Sequence, residues 1–438
     1  MTNNLPEVLR RLDSLTDWES RPRNAMRVSL DPMLDLAQRM GAPQECFRAV
    51  HVTGTKGKGS VCALIEAGLR GAGWSVGRYA SPHVEHITER VTVEGEPVDD
   101  GTLARALTCA LNAYEAARAA NSAGCDSTWF DVLTVAAFRI FADAGVSWAV
   151  IEVGLGGRKD STNIVFGEVA VITNVELEHT EVLGSTREAI AAEKVGILKA
   201  GATLVTTLGP DEPAGRVVHD QAERLGCPVL VVPISTAGTI ETYNADIARS
   251  ALAVLGQQGV LTRGPDAISV GSWLLDPTTC ASIHLPGRKE HLAFRLSDDP
   301  LLTVKVVLDG AHVPFNLRAV LRDLTAEFDL LGPCVAVVAL AGDKDVVGFI
   351  TALCEHAART VCTTVPTSAR SISSQDVASV VAAVDPAHAY DVVVDPAQAF
   401  EKAIRWAAAS GGWVLVTGSL LLVGELRSRV LHGSAPPS

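Results

Sequence analysis

Ten residues, His51-Val52-Thr53-Gly54-Thr55-Lys56-Gly57-Lys58-Gly59-Ser60, combine glycines, two lysines and a hydroxyl at a spacing suited to binding an anion. Phe47-Arg48-Ala49-Val50 before them reads as the end of a buried strand. Val61 to Leu69 after them has helical spacing of apolar residues. A strand, a glycine-rich turn and a helix form the context of a phosphate-binding loop. Glycine lets backbone N–H groups approach the anion, the helix directs the positive end of its dipole at it, and Lys58 adds a charge at the terminal phosphates. The strict pattern G-x-x-x-x-G-K-[ST] is not met, because Val52 stands at the first glycine. The variant G-T-x-G-K-G-S is read as a nucleoside triphosphate loop in preference to a merely flexible turn.

A triphosphate site needs a metal, and Mg²⁺ takes oxygen ligands, usually one or two of them from protein. Glu152 interrupts the apolar run Trp148-Ala149-Val150-Ile151-Glu152-Val153-Gly154 near its end. That is where open α/β sheets place ligands, although an arginine-paired structural glutamate would fit the same pattern. Ser81 and His179 stand in loops after other strands and by themselves read as ordinary loop residues.

These groups require a sheet to hold them. Residues 5–46 read as helical, with a stop at Gly41-Ala42-Pro43, and Ser75 to Tyr79 as a short strand. Ile87 to Val93 reads as a polar loop, and 100–120, 129–144 and 186–199 as helices. Strands are expected at 148–154, 169–173, 203–206 and 228–232, and a helix after Asn244 through Leu255. Strands alternating with helices predict an α/β fold: a large P-loop ATPase domain on a mostly parallel, doubly wound sheet. A smaller C-terminal α/β domain follows, with strands at 305–309, 335–340, 360–364, 390–394 and 413–417. The boundary falls between about 283 and 302, giving domains 1–290 and 291–438.

The net charge of −13 argues against a nucleic-acid partner, which normally needs a basic face. No apolar run reaches the ~18 residues of a membrane helix, and the start lacks the basic and apolar regions of a signal peptide. Nine cysteines without a C-x-x-C pair read as free thiols in a reducing, cytoplasmic compartment.

Jointly, Gly54 to Ser60, Ser81-Pro82-His83, Glu89-Arg90-Val91 and Glu152 to Arg158 with Asp160 and Thr162-Asn163 carry a resemblance. So do His179-Thr180, Glu193 to Ile197, Pro286-Gly287-Arg288, Asp309 to His312 and Thr417-Gly418-Ser419. The chain resembles the folylpolyglutamate synthase and dihydrofolate synthase branch of the Mur ligase family over nearly its whole length. The resemblance implies an ATP-dependent amide ligase that activates a folate-type carboxylate as an acyl phosphate, which the amine of glutamate attacks. By resemblance, Gly54, Thr55, Gly57, Lys58, Gly59 and Ser60 bind phosphate, and Ser81, Glu152 and His179 hold Mg²⁺. Lys194 matches a lysine carried as an N-carbamate; by itself it reads as a helix-surface lysine paired with Glu193. Asn244, Arg288 and Asp309 match residues holding adenine, phosphates and ribose. Lys58, Lys194, His179 and His312 are the expected catalytic group, with Phe130, Asp131, Arg158 and Asp160 on the substrate side.

Two positions depart from the family pattern: Val313 replaces asparagine after His312, and Asp131 replaces glutamate. The first reading is folylpolyglutamate synthesis, with dihydrofolate synthesis or both activities as the sibling. Another Mur-type acceptor or a P-loop ATPase that is no ligase stand behind them. The expected partners are small molecules (folate or dihydropteroate, L-glutamate and ATP), acting on a monomer without membrane or nucleic acid.

Overall fold

The computed structural model describes residues 4–19, 29–233, 238–264, 268–296, 302–327 and 329–433. They form two compact units, one reaching Ile283 and the other beginning at His284.

The first unit is built on eight strands: β1 (Arg48–Thr53), β2 (Val76–Tyr79), β3 (Val91–Val93), β4 (Glu96–Pro97), β5 (Trp148–Glu152), β6 (Gly167–Ile172), β7 (Thr203–Thr206) and β8 (Val229–Val231). Their order is β4-β3-β2-β5-β1-β6-β7-β8. The run from β2 to β8 is parallel, and β3 and β4 add antiparallel strands at one edge. Because helices cover both faces, the central strands are apolar on both sides. In β1, Val50 and Val52 enter one core with Val61, Ile65 and Leu69 of the helix Lys58–Gly71. Ala49 enters the opposite core with Trp129, Leu133 and Phe138 of the helix Trp129–Ala144. Each such fully buried large side chain contributes roughly 1.5–3 kcal/mol of transfer free energy.

The chain leaves β1 toward β2 on one side and later returns to β6 on the other. The sheet order therefore reverses around β1. That crevice, at the carboxyl ends of β1, β5 and β6, is where open α/β sheets bind ligands.

The second unit contains β9 (Glu290–Arg295), β10 (Thr303–Leu308), β11 (Cys334–Val338), β12 (Ala357–Cys362), β13 (Ala389–Val392) and β14 (Trp413–Thr417), in the order β13-β12-β11-β14-β10-β9. All neighbours are parallel except β9 and β10. Among the described residues no helix is long and apolar enough to cross a membrane.

Several expectations need correction. The run 5–46 is two helices, Leu5–Leu12 and Asp31–Arg39, plus a short turn Pro43–Glu45; residues 20–28 lie outside the described ones. The supposed loop 87–93 contains the strand β3, because Val91 and Val93 pair with Tyr79 and Gly77. The helix predicted at 186–199 stops at Lys194 and tightens into a single turn. Asn244 lies inside the helix Ile240–Gln257, which Thr239 caps. Strand β9 was not anticipated; its sequence Glu-His-Leu-Ala-Phe-Arg lacks the apolar run of the parallel strands.

Candidate active site

The phosphate loop is held open by the strand next to it. Thr55 N–H donates to Asn174 O at 3.0 Å, and Lys56 N–H to Asn174 Oδ1 at 2.9 Å. Asn174 Nδ2 and Thr173 Oγ1 both donate to Lys56 O. Gly57 has φ +84°, where a side chain would be strained. A Cβ there would also lie 2.4 Å from Asn244 Oδ1, which seats Asn244 against the loop. The helix begins at Lys58, so the first-turn N–H groups of Gly59 and Ser60 face the loop as an anion site. Lys58 folds back and donates to Gly54 O at 3.1 Å.

The loop opens on a cavity lined by Gly54, Thr55, Lys58, Glu178, His179 and Lys194, with Val153 to Gly156 as one wall. Five residues selected in the sequence thus meet in one place. Glu178 was not selected, and it accepts an ion pair from Lys56 at 3.1 Å. Asn174 and Thr173 were also missed. Their only signal is a polar pair directly after an apolar strand.

Glu152 ends β5 and is buried. Ser81 N–H donates to its Oε2 at 3.2 Å, which brings two residues proposed for the metal together. His179, with φ +53°, places Nε2 3.7 Å from Glu178 Oε1. Among the described residues no three His, Cys, Asp or Glu side chains converge as a cage. A carboxylate, a serine hydroxyl and one imidazole beside a phosphate loop suit a hard divalent ion that keeps phosphate and water ligands.

Lys194 is not the surface lysine that its neighbours suggest. It is 4% exposed, whereas Glu193 turns outward and pairs with Arg158. Burial, and then the nearby charge of Lys58, lower the Lys194 pKa to about 7.

The substrate-side residues divide. Phe130 packs against Tyr79, and its ring edge approaches Gly154 at the cavity wall. The Asp131 carboxylate is occupied locally: Oδ2 accepts from Thr128 N–H and Oγ1, and Oδ1 from Ser161 Oγ at 2.6 Å. Asp160 is buried and shapes the cavity wall, accepting from Leu155 N–H at 2.8 Å and from Thr162. Burial raises its carboxyl pKa against these donors. Arg158 is exposed apart from Glu193.

In the second unit, Asp309 follows β10 and is buried. Its Oδ2 accepts from Lys289 N–H at 2.9 Å and its Oδ1 from Ala311 N–H at 2.8 Å. Arg288 Nη1 donates to Gly287 O at 3.2 Å. His312 donates from Nδ1 to Gly310 O at 2.8 Å, because a carbonyl only accepts.

A phosphate loop, a carboxylate at the switch point and a second α/β unit define a class that known proteins share. The Mur ligase middle domain matches residues 52–253, and the Mur ligase glutamate ligase domain matches 295–420. The chain is 33% identical to the folylpolyglutamate synthase of Lacticaseibacillus casei over 74% of this chain and 78% of that one. It is 30% identical to the dihydrofolate synthetase of Saccharomyces cerevisiae, over 66% and 70%. The bifunctional folylpolyglutamate synthase/dihydrofolate synthase of Yersinia pestis, solved with AMPPNP and a Mn ion, superposes with a TM-score of 0.76 at 26% identity, covering 98% of both chains. The chain belongs to the Mur ligase family. Within it, the chain stands in the folylpolyglutamate and dihydrofolate synthase branch.

Proposed function

We propose that this chain uses ATP to join the amine of L-glutamate to the terminal carboxylate of a folate-type acceptor. Folylpolyglutamate synthesis is the first reading. The similarity to a dihydrofolate synthetase supports the sibling reading, in which dihydropteroate is the acceptor. The observation that carries the proposal is the cavity where Lys58, His179 and Lys194 meet the phosphate loop.

A carboxylate is a poor acyl donor, and its approach to a triphosphate brings two anions together. Lys58 and the loop N–H groups neutralise that repulsion where charge builds in the transition state. A carboxylate oxygen attacks the γ-phosphorus, the bridging bond to ADP breaks, and an acyl phosphate forms. The glutamate nitrogen then attacks the acyl carbon, and phosphate leaves from the tetrahedral adduct. Glu152, Ser81 and His179 would hold a divalent ion, which when bound screens the phosphate charge. Asn244, Arg288 and Asp309 are assigned to the nucleotide, and His312 to the same motif. Phe130 and Asp160 bound the acceptor side.

Lys194 fits N-carbamoylation. With a pKa near 7, much of its amine is neutral at physiological pH. The neutral nitrogen adds to the carbon of CO₂ and releases a proton, so the neutral amine becomes an anion beside the charge of Lys58. In this reading the chain acts as a monomer in the cytoplasm.

The test is a product assay with ATP, L-glutamate and a panel containing dihydropteroate and reduced folates, read by mass spectrometry. One acceptor gaining a glutamyl residue with matching ADP release is expected. ATP hydrolysis without any acceptor changing mass would overturn the proposal.

A further inference from the structure

The turn that carries Arg288 is built at two physical costs. Lys289 has φ +44°, a left-handed conformation that side chains disfavour and that glycine would adopt freely. Its side chain is also only 6% exposed, and burying an ammonium is costly unless it is paired. One partner is Asp323, 1% exposed, with Oδ2 3.5 Å from Lys289 Nζ; Asp323 Oδ1 accepts from Arg322. Lys289 N–H meanwhile occupies one oxygen of Asp309. On the other side of the turn, Gly287 N–H donates to Glu290, whose carboxylate is clamped by Arg427 at 2.7–3.0 Å. Gly310 approaches so closely that a Cβ there would lie 3.2 Å from Arg288 Nη1.

We infer that Lys289 is a positioning residue: its buried pairing with Asp323, together with its left-handed backbone, aims the Arg288 guanidinium and fixes the Asp309 carboxylate for nucleotide. Glycine would relieve the backbone but leave the turn without its anchor on the helix Pro314–Glu327. The inference rests on the proposed assignment of Arg288 and Asp309 to ATP.

Steady-state kinetics and melting temperatures of the full chain and of Arg288→Ala, Lys289→Gly and Asp323→Asn separate the two claims. Lys289→Gly is expected to keep its fold and raise the KM for ATP about tenfold, as for loss of one charge-assisted contact, with kcat at saturating ATP within about twofold. Asp323→Asn should move KM in the same direction. If orphaned charges unfold the single variants, the double variant Lys289→Met with Asp323→Leu fills the same space without charge. It should fold and show the same raised KM. A wild-type KM for ATP in a folded Lys289 variant, with Arg288→Ala raised, overturns the positioning role and leaves the nucleotide assignment standing. A wild-type KM in Arg288→Ala overturns the assignment itself.

Discussion

The Glu152 carboxylate lies directly behind Gly59: a Cβ on that glycine would sit 3.3 Å from Glu152 Oε2. A methyl group added at Gly59 would require the carboxylate to give by a few tenths of an ångström. Gly59→Ala is expected to retain or slightly raise stability, since alanine is favoured over glycine in helices by up to about 1 kcal/mol. It should nonetheless lower activity and shift the metal requirement upward, because the carboxylate must move. Melting curves beside metal titrations check this; an overlaying titration would show that the contact is only packing.

Lys58→Ala removes the charge proposed to act at the terminal phosphates. Turnover should fall by roughly 10²–10³-fold, the scale for one transition-state donor, with the circular dichroism spectrum unchanged. Near-normal ATP-dependent ligation would contradict the phosphate-loop assignment.

Lys194 gives a pH signature. Its pKa is about 7 in the fold against 10.5 ordinarily, so between those values the unfolded chain holds a proton that the folded chain lacks. Stability therefore rises with pH through that window and is flat below it. In CO₂-free buffer, denaturant unfolding should show this rise in the wild type and its loss in Lys194→Met. Added bicarbonate should stabilise only the wild type. Parallel curves for both proteins would mean that the lysine is not buried as described.

Val313 precedes the helix Pro314–Glu327, and its carbonyl accepts from Leu317 N–H at 3.1 Å. It occupies the N-cap, where asparagine is among the best residues and valine among the poorest. Val313→Asn should stabilise the protein by about 1 kcal/mol. It should raise the ligation rate without changing the preferred acceptor. A switch of acceptor in a parallel assay of dihydropteroate and tetrahydrofolate would show instead that Val313 selects substrate.

The phosphate loop was legible because anion binding is local: its glycines, lysine and following helix are contiguous. Glu152 was legible because a carboxylate inside an apolar strand is costly without a purpose. Lys194 was not, since its burial depends on the helix end packing against Gly157, whose Cβ would meet Lys194 O at 2.7 Å. Its local context, beside Glu193, pointed outward. Asn174 and Glu178 were hidden for the same reason, because each acts on a residue more than a hundred positions away. The parallel strands announced themselves by apolar runs. Strand β9 has one antiparallel neighbour and a mixed pattern, so only its pairing reveals it.

In the proposed ligation the acceptor carboxylate is activated as an acyl phosphate. The most direct test of this step is ligation with the acceptor carboxylate labelled with heavy oxygen, followed by mass analysis of the phosphate released. One labelled oxygen in each phosphate is expected for every amide formed, because the attacking carboxylate oxygen departs with phosphorus. Amide formation with all of the label retained in the product or lost to water, and none in phosphate, would contradict it.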